Sequence, residues 1–295
     1  MDISIPAAVQ DSIVFISFFS GCGNDSSTRQ NALANFPSKV SNEVLVTGQL
    51  FTPDGLTPIG NATVYLPSSS QDISPPMPSE SVNCPSPEIN FSTSSCSNTD
   101  GTFMIRIPHN ETTTLVADKG AFQTEFSVNI SSLNDNRTVN IGPIVIDTSS
   151  KYATKIAVIS GQFDQMQDVL AKTGFGLTDT YGRLVLGSET FDIYRGNYNF
   201  TDHYPAFSEL FKDRGDGLAK INNYDIVFIN CGVEENDFND YGVDPNSAMV
   251  KSTLRNYVQS GGRLYITDLA YDYLEQAFPE YIAFYNDDSN LESIA

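Results

Sequence analysis

The sequence is short of positive charge, of histidine and of long apolar runs, and each shortage excludes a class of function. Lysine and arginine number 16 against 36 aspartates and glutamates, which gives a formal net charge of -20 at pH 7. Such a chain has little with which to release counterions from a phosphate backbone, so nucleic acid is excluded as a partner. The acidity indicates a soluble, self-repelling surface, with a cation-binding surface as the alternative.

The shortage of histidine and of paired cysteines argues against a zinc site. The chain has only His109 and His203, and its four cysteines form no C-x-x-C pair. These are the usual zinc ligands, so we predict no metal, and nothing in the sequence predicts a cofactor. Residues 237–244 resemble an EF-hand calcium loop, but Tyr241 stands at the fifth position and no glutamate at the twelfth. We expect a solvated acidic loop there.

No long apolar run is present, but a short one lies near the start. The stretch SIVFISFFSG, residues 12–21, is far shorter than the roughly 20 residues that a spanning helix needs. It matches the apolar region of a signal peptide in length, although no lysine or arginine precedes it. The alternative is an ordinary hydrophobic N-terminal strand.

The residues that end this run carry a more specific signal. The sequence Phe19, Ser20, Gly21, Cys22 resembles a bacterial lipobox. The resemblance implies that residues 1–22 are a lipoprotein signal peptide with its lipobox, and that Cys22 carries the lipid, palmitate included. Residues 23–42, rich in Ser and Asn, then form a flexible tether. This predicts a lipid-anchored protein of the bacterial cell envelope, at the outer membrane or the cell surface, with the membrane as a partner.

Residues 43–147 show short alternating apolar segments and turn signals without helical periodicity. The apolar residues that alternate in the two clearest strands are Val44, Val46 and Leu50, and then Phe103, Ile105 and Ile107. A hairpin is predicted to turn near Lys119 and Gly120. Strands at this spacing predict a β-sandwich.

The same region is similar to the carboxypeptidase regulatory-like domain, a small transthyretin-like sandwich. The likeness rests on VTGQLFTPDGLTPIGNATVYL followed by TDGTFMIRIP, and it covers about a third of the chain. The matching residues are Val46, Gly48, Pro58, Ala62, Val64, Thr99, Asp100, Gly101 and Phe103. The resemblance implies a sandwich without peptidase chemistry, because the zinc ligands of a carboxypeptidase are not found in the sequence.

A long insertion rich in Ser, Pro and Asn, residues 67–98, interrupts this region and contains Cys84 and Cys96. A loop of this length is unusual inside a compact domain, and a covalent link across it would limit its entropy. The setting is typical of a structural disulfide in an oxidising compartment, so we predict a Cys84–Cys96 bond. The alternative is two unpaired surface thiols.

After a linker at residues 148–154 the periodicity changes, and residues 155–295 form a second predicted domain. Apolar strands such as KIAVIS and YDIVFINCG alternate with helical patterns, the clearest being DPNSAMVKSTLRNYVQSGG, which Asp244 could cap. The predicted buried stripes are Phe163, Met166, Val169 and Leu170, and then Met249, Val250, Thr253, Leu254, Tyr257 and Val258. The alternation predicts a mostly parallel sheet with helices on both faces. The sequence stops without a closing strand, as a fragment of a longer protein would.

Ligands of open parallel sheets bind beyond the carboxyl ends of the strands. Three predicted strands end in glycine or polar residues, and their ends would converge if the strands are neighbours. The candidate cleft residues are Gly161, Gln162, Asn230, Cys231, Asp268, Tyr271 and Asp272. Asp268 and Asp272 would share a face if both lie on a helix, or Asp268 could cap a helix that begins at Leu269.

The segments YDIVFINCG and SGGRLYITDLAYD are similar to the class I glutamine amidotransferase-like fold, over residues 155 to about 285. With the first domain they also resemble bacterial surface lipoproteins of unknown function that pair these two domains. The family's elbow carries a nucleophilic cysteine, but Thr267 and Asp268 stand there and no His-Glu pair follows. The resemblance therefore implies the fold without its catalytic site.

Cys231 ends the preceding strand, but it lacks the glycine two residues earlier that a nucleophile elbow requires. A nucleophilic cysteine also needs a base, and His203 is the only histidine in this half. We interpret Cys231 as a buried structural thiol, with ligand contact or catalysis as alternatives. The leading hypothesis is a non-catalytic envelope lipoprotein that binds a ligand or envelope protein through the strand ends. A hydrolase or transferase using that cleft, and a purely structural envelope component, are the alternatives.

Overall fold

A computed structural model describes most of the chain between residues 43 and 281. The described residues are 43–67, 94–109, 112–120, 122–130, 138–149, 153–197, 199–235 and 242–281. A region of two mainly antiparallel sheets precedes a region with one parallel sheet. The coarse prediction of a β-rich domain followed by an α/β domain is therefore confirmed.

The first region, which we call the β domain, has seven strands among its described residues. They are β1 (Glu43–Phe51), β2 (Thr63–Tyr65), β3 (Ser94–Cys96), β4 (Thr102–Pro108), β5 (Thr112–Lys119), β6 (Phe122–Asn129) and β7 (Thr138–Val145). One sheet has the order β4-β1-β7 and the other β3-β2-β5-β6. Strand β1 pairs antiparallel with β4 and parallel with β7.

Residues from both sheets of the β domain form one hydrophobic core. Val44 and Ile105 from the first sheet and Val64 from the second are fully buried and belong to the same cluster. The predicted alternation in β1 and β4 is confirmed, because every second residue of these strands points into this core. The predicted hairpin is also present: Lys119 pairs with Phe122, and Gly120 adopts a left-handed conformation with φ of 61° between them.

In its described residues the second region, the α/β domain, has four parallel strands and three α-helices. They are β8 (Ile156–Ser160), α1 (Met166–Leu170), β9 (Asp192–Arg195), β10 (Ile226–Ile229), α2 (Ala248–Gln259), β11 (Arg263–Ile266) and α3 (Asp272–Ala277). The sheet order is β11-β10-β8-β9, and all three pairings are parallel. Strands β8 and β10 are buried along their whole length, as expected for strands covered on both faces.

Side chains of β8 alternate between two hydrophobic clusters on the two faces of the sheet. Ala157 and Ile159 join the cluster that holds the buried residues of α2 and α3. Ile156 and Val158 join the cluster that holds Leu170 of α1. The sheet therefore has helical layers on both sides, and its carboxyl edge is left for the connecting loops.

Two helices differ from their predicted form. Helix α1 has five residues before a π-helical turn at Ala171–Phe175, so Phe163 and Val169 are 61% and 46% exposed and not part of a buried stripe. In α2 the predicted stripe is buried at Val250, Leu254, Tyr257 and Val258, but Met249 is exposed. Asp244 does not cap α2, because its carboxylate accepts the N–H of Asn246 in a turn that precedes the helix.

The two domains meet where a turn of the β domain touches the π-helical turn after α1. The backbone N–H of Asp54 donates to the carbonyl of Thr173 at 3.2 Å. The rings of Phe122 and Phe175 lie 5.7 Å apart across the same junction. Gly174 has φ of +95°, and a Cβ placed there would lie 2.2 Å from the backbone nitrogen of Asp54. Only glycine allows this approach of the two backbones.

Several predictions fall partly or wholly outside the described residues. Cys22, the signal segment and the tether lie outside them, as does Cys84. Cys96 closes β3 and takes part in a disulfide, but its partner is outside the described residues, so the Cys84–Cys96 pairing stays a prediction. Within the described part of the chain, no helix has the length and apolar character needed to cross a membrane.

Candidate functional site

The carboxyl ends of β8, β10 and β11 converge, as the sequence predicts for neighbouring strands. Backbone N–H groups join them, from Asn230 to the carbonyl of Ile159 at 3.3 Å and from Thr267 to that of Ile229 at 3.1 Å. The N–H of Cys231 also donates to the hydroxyl oxygen of Thr267 at 2.9 Å. The predicted residues are therefore brought to one place.

The loops that follow β8 and β10 are packed tightly against each other at this place. A Cβ on Gly161 would lie 2.1 Å from the carbonyl oxygen of Cys231, so the first loop rests directly on the second. Asn230, Cys231, Tyr271 and Asp272 are all buried. Of the predicted cleft residues, Gln162 and Asp268 are exposed. Gly161 and Cys231 therefore touch through their backbones, and the use of these residues as a ligand cleft stays a prediction.

The environment of Cys231 suits a structural thiol. Burial raises its pKa, and the nearby carboxylates of Asp164 and Asp268 raise it further, while the N–H of Leu269 has the opposite effect. A thiol whose pKa is raised stays protonated and is a poor nucleophile. His203 is the histidine of this domain, and its Nδ1 lies 2.8 Å from the hydroxyl of Thr201.

Asp268 occupies a strained turn at the end of β11. It has φ of 38°, a left-handed value that is uncommon for a residue other than glycine. It is exposed and begins a 3-10 turn, Asp268–Ala270. Strain of this kind is typical of nucleophile elbows and other functional turns, and the Asp268 side chain is hydrogen-bonded to the thiol of Cys231.

Both predictions about the helical role of Asp268 are wrong. The residue at the N-cap of its turn is Thr267, and no side-chain bond caps that turn. Helix α3 begins only at Asp272, which is fully buried, whereas Asp268 is exposed. The tight turn after β11 breaks the helical register between them, so the two carboxylates do not share a face.

Asp272 pairs with an acidic residue that the sequence analysis missed, Glu235. Burial raises the pKa of Glu235 to about 8, and its hydrogen bond to the Asp272 carboxylate adds to this effect. The Glu235 carboxyl therefore keeps its proton at neutral pH and donates it to Asp272. Close to this pair, the Tyr273 hydroxyl donates to the carbonyl of Val243 at 2.7 Å and lies 3.4 Å from that of Glu234. The signal in the sequence was the Glu-Glu pair that follows β10.

An open cavity lies at the same edge of the sheet, but on the β8–β9 side. Its volume is about 390 Å³, within the range of ligand sites, roughly 300–1,000 Å³. Its polar lining is Gln165, Gln167, Asp168 and Arg183, and its apolar lining is Leu184, Leu186 and Phe200. These residues follow the ends of β8 and β9 or connect the two strands. We call this space the edge cavity, and none of its residues was predicted.

Hydrogen bonds hold the walls of the edge cavity in place. Buried Asn230 donates through Nδ2 to Gln167 Oε1 at 3.2 Å, and Gln167 in turn donates to Gln165. From the same helix the Asp168 carboxylate accepts the N–H of Leu184 at 2.8 Å. A relay of amides therefore runs from the end of β10 to the cavity wall and orients Gln165.

The turn that carries Arg183 is also fixed. Asp179 accepts the backbone N–H groups of Arg183 and Tyr181 at 2.9 and 2.8 Å. These bonds lower the pKa of the Asp179 carboxyl, and the positive charge of Arg183 contributes to the same shift. The guanidinium is thus presented by a rigid turn.

The described residues contain no cluster of three or more side chains suited to a metal ion. Most of the candidate calcium loop, residues 237–244, lies outside the described part of the chain. The expectation of a solvated acidic loop there stays a prediction.

Comparisons with known proteins do not identify a family. No family model matches the sequence, and no curated protein matches it. Among solved structures the chain is similar to a 9R-lipoxygenase from Cyanothece PCC8801, with 15% sequence identity and a TM-score of 0.21. The similarity covers 43% of this chain and 20% of the lipoxygenase chain. A TM-score this low carries no argument about fold or activity.

Proposed function

We propose that this chain is a non-catalytic binding protein of the bacterial cell envelope, which binds a ligand or an envelope partner at the carboxyl edge of its parallel sheet. The observation that carries the proposal is the state of Cys231. The thiol is buried, and its pKa is raised by burial. Among the described residues no hydrogen bond joins His203 to Cys231, and His203 Nδ1 lies 2.8 Å from the hydroxyl of Thr201. Nucleophilic catalysis requires an activated thiol with a base in reach.

Binding at this edge is supported by the edge cavity. Parallel sheets place their ligands beyond the carboxyl ends of the strands, and Gln165 and Phe200 follow two such ends. The hydrogen-bonded relay from Asn230 gives the cavity a fixed wall. A preformed cavity needs less reorganisation when a ligand enters.

The proposal extends to the two folds and to the disulfide. The β domain is assigned to the carboxypeptidase regulatory-like sandwiches, and its single core between two sheets supports this assignment. The α/β domain is assigned to the amidotransferase-like fold without the catalytic cysteine, supported by its parallel sheet and the strained turn at Asp268. A Cys84–Cys96 disulfide would close the insertion between β2 and β3.

A test of turnover separates a binding protein from an enzyme. The full chain and the variants Cys231→Ser and Asp268→Asn are assayed against a panel of amides and esters, glutamine included. We expect all three proteins to match the buffer blank, because no activated nucleophile is assembled at the strand ends. Turnover by the wild type that either substitution abolishes would overturn the non-catalytic function.

The envelope location is tested through Cys22. We expect the mature protein, expressed in a Gram-negative host, to begin at a lipid-modified Cys22 and to enter the detergent phase on phase separation. Cys22→Ala should leave an unlipidated protein, and Cys231→Ser serves as a control for loss of a cysteine. The N-terminus is read by mass spectrometry. Wild-type protein that is free of lipid and begins elsewhere would contradict the anchor.

A further inference from the structure

The edge cavity combines a set of polar groups that carries no net charge with an aromatic side chain. The guanidinium of Arg183 and the carboxylate of Asp168 both line it, so the lining itself has one charge of each sign, and the Asp179 carboxylate that also interacts with Arg183 is not part of the lining. The whole chain has a net charge of -20, and an acidic surface would favour cations. The cavity lining therefore differs in charge from the chain as a whole. An anion entering the cavity would meet Asp168, and a cation would meet Arg183. The lining therefore favours a neutral ligand.

The polar groups also supply both kinds of hydrogen-bonding partner. Arg183 and the amide nitrogen of Gln165 are donors, and Asp168 is an acceptor. Within the described residues, the Arg183 side chain is engaged in none of the hydrogen bonds and ion pairs, and Gln165 Nε2 donates to nothing. Gln165 Oε1 is taken by Gln167, so the relay leaves the donor end of Gln165 available. A ligand with groups that both donate and accept matches this set, and the hydroxyl is such a group.

The apolar part of the cavity suits a ligand with a face of C–H groups. Phe200 is half-buried at the cavity, and its ring is held 5.5 Å from the ring of Tyr204. Leu184 and Leu186 complete this surface. An aromatic ring buries apolar area with little loss of side-chain entropy. A ligand that fits must therefore be polar around its rim and apolar on one face.

We infer that the edge cavity binds a neutral saccharide, with Arg183, Asp168 and Gln165 bonded to its hydroxyl groups and one sugar face packed on Phe200. Side chains with two adjacent polar atoms, such as those of Arg, Asp and Gln, can bridge neighbouring hydroxyls of a pyranose ring. The volume of about 390 Å³ suits a small ligand and not a protein partner. This inference rests on the proposed function, since it names the ligand class of a site that binds without turnover.

The test is a titration of the full chain, followed residue by residue in NMR spectra. The probes are neutral hexoses and their disaccharides, and each monosaccharide is paired with its uronic acid and its amino sugar. These analogues differ from the neutral sugar mainly in one charged group. We expect saturable shifts of residues around the edge cavity with at least one neutral sugar, and at least tenfold weaker binding of both charged analogues.

Variants assign the binding to the cavity. Phe200→Ala and Arg183→Ala should each weaken binding at least tenfold, whereas Phe163→Ala, an exposed phenylalanine outside the cavity, should leave it unchanged. Arg183→Lys keeps the charge but loses the planar fork, so we expect it to weaken binding as well. Circular dichroism checks that each variant is folded.

Each remaining outcome decides the inference. Absence of saturable shifts at the cavity with every neutral sugar overturns it, and so does tighter binding of an acidic or amino sugar, or of a free amino acid used as a zwitterionic probe. Binding that is lost in Phe163→Ala but kept in Phe200→Ala places the site elsewhere and also overturns it. Cleavage of a bound disaccharide would leave the ligand class standing and would overturn the non-catalytic function instead.

Discussion

Replacing Gly174 with alanine should lower the free energy of unfolding by roughly 2 to 5 kcal/mol and separate the two domains. About 1–2 kcal/mol comes from forcing an L-residue into the left-handed conformation. About 1–3 kcal/mol more comes from overpacking, because the new Cβ would lie 2.2 Å from the Asp54 nitrogen. Neither backbone has room to move aside locally. We therefore expect the turn of the β domain to separate from the π-helical turn at Ala171–Phe175, and the Phe122–Phe175 contact to open.

The matched control is Gly187→Ala in the same domain. Gly187 has φ of +88°, but a Cβ there would meet nothing within 4 Å. This variant therefore carries the backbone strain without the clash, and it should lose only about 1–2 kcal/mol. Urea unfolding measures both variants, and fluorescence of labels placed in each domain reports whether the domains unfold together. Equal losses in the two variants would show that the domain junction is not formed at Gly174.

The strands were predictable from the sequence because their side chains alternate or are continuously apolar. In β1 and β4 every second residue except Gly48 is buried, so a period of two was visible in Val44 and Val46 and in Ile105 and Ile107. In β8 and β10 an unbroken apolar run indicated burial on both faces. These patterns are local, and no distant contact is needed to read them.

The helices were less predictable because tertiary contacts end them early. The pattern after β8 suggested a helix over Phe163 to Leu170, but Gly174 and the junction with the β domain turn the chain into a short π-helical segment. The helix is therefore too short to bury Phe163 or Val169. Likewise, Asp244 prefers a turn with Asn246, which moves the start of α2 to Ala248. The end of a helix thus depends on contacts with residues distant in sequence, and its start on side chains that compete for nearby backbone N–H groups.

The sequence predicted which strand ends converge, but not the residues that line the edge cavity. The rule that ligands bind at the carboxyl edge brought together Gly161, Cys231 and Asp268, and these residues do meet. The rule does not say which gap between strands stays open, because side-chain volumes decide that. Here Gly161 lets the loops after β8 and β10 touch, and the edge cavity lies on the β9 side of this contact. Arg183 reaches it from a connecting segment that has no motif of its own.

The stability of the protein should fall as the pH rises from about 4.5 to about 8, because of Glu235. Its pKa is raised from 4.5 to about 8 in the folded state by burial and by its bond to Asp272. Below the lower value both states are protonated and the stability is fully present. Between the two values the unfolded chain releases the proton that the folded chain retains, so folding becomes less favourable. Above about 8 the loss is complete.

Glu235→Gln should remove most of this dependence and make the protein more stable than wild type at pH 9. The slope from one proton is at most about 1.4 kcal/mol per pH unit, and solvent at the partly exposed Glu235 reduces it, so we expect roughly 1 to 3 kcal/mol over the window. Glutamine keeps an N–H donor for the Asp272 carboxylate, whereas an ionised glutamate would repel it. Urea unfolding at half-unit steps of pH measures the slope.

Glu234→Gln is the control, because it removes the same charge one residue away and leaves the bond to Asp272 in place. We expect its slope to match that of the wild type. Asp272→Asn should flatten the slope only in part, because it removes the charge and the bond of Asp272 but leaves Glu235 buried. If both variants keep the wild-type slope, the pair does not share that proton in the folded protein. The Asp272 carboxylate would then need another donor, and Tyr273 of α3 would bond to the carbonyls of Glu234 and Val243 without help from that pair.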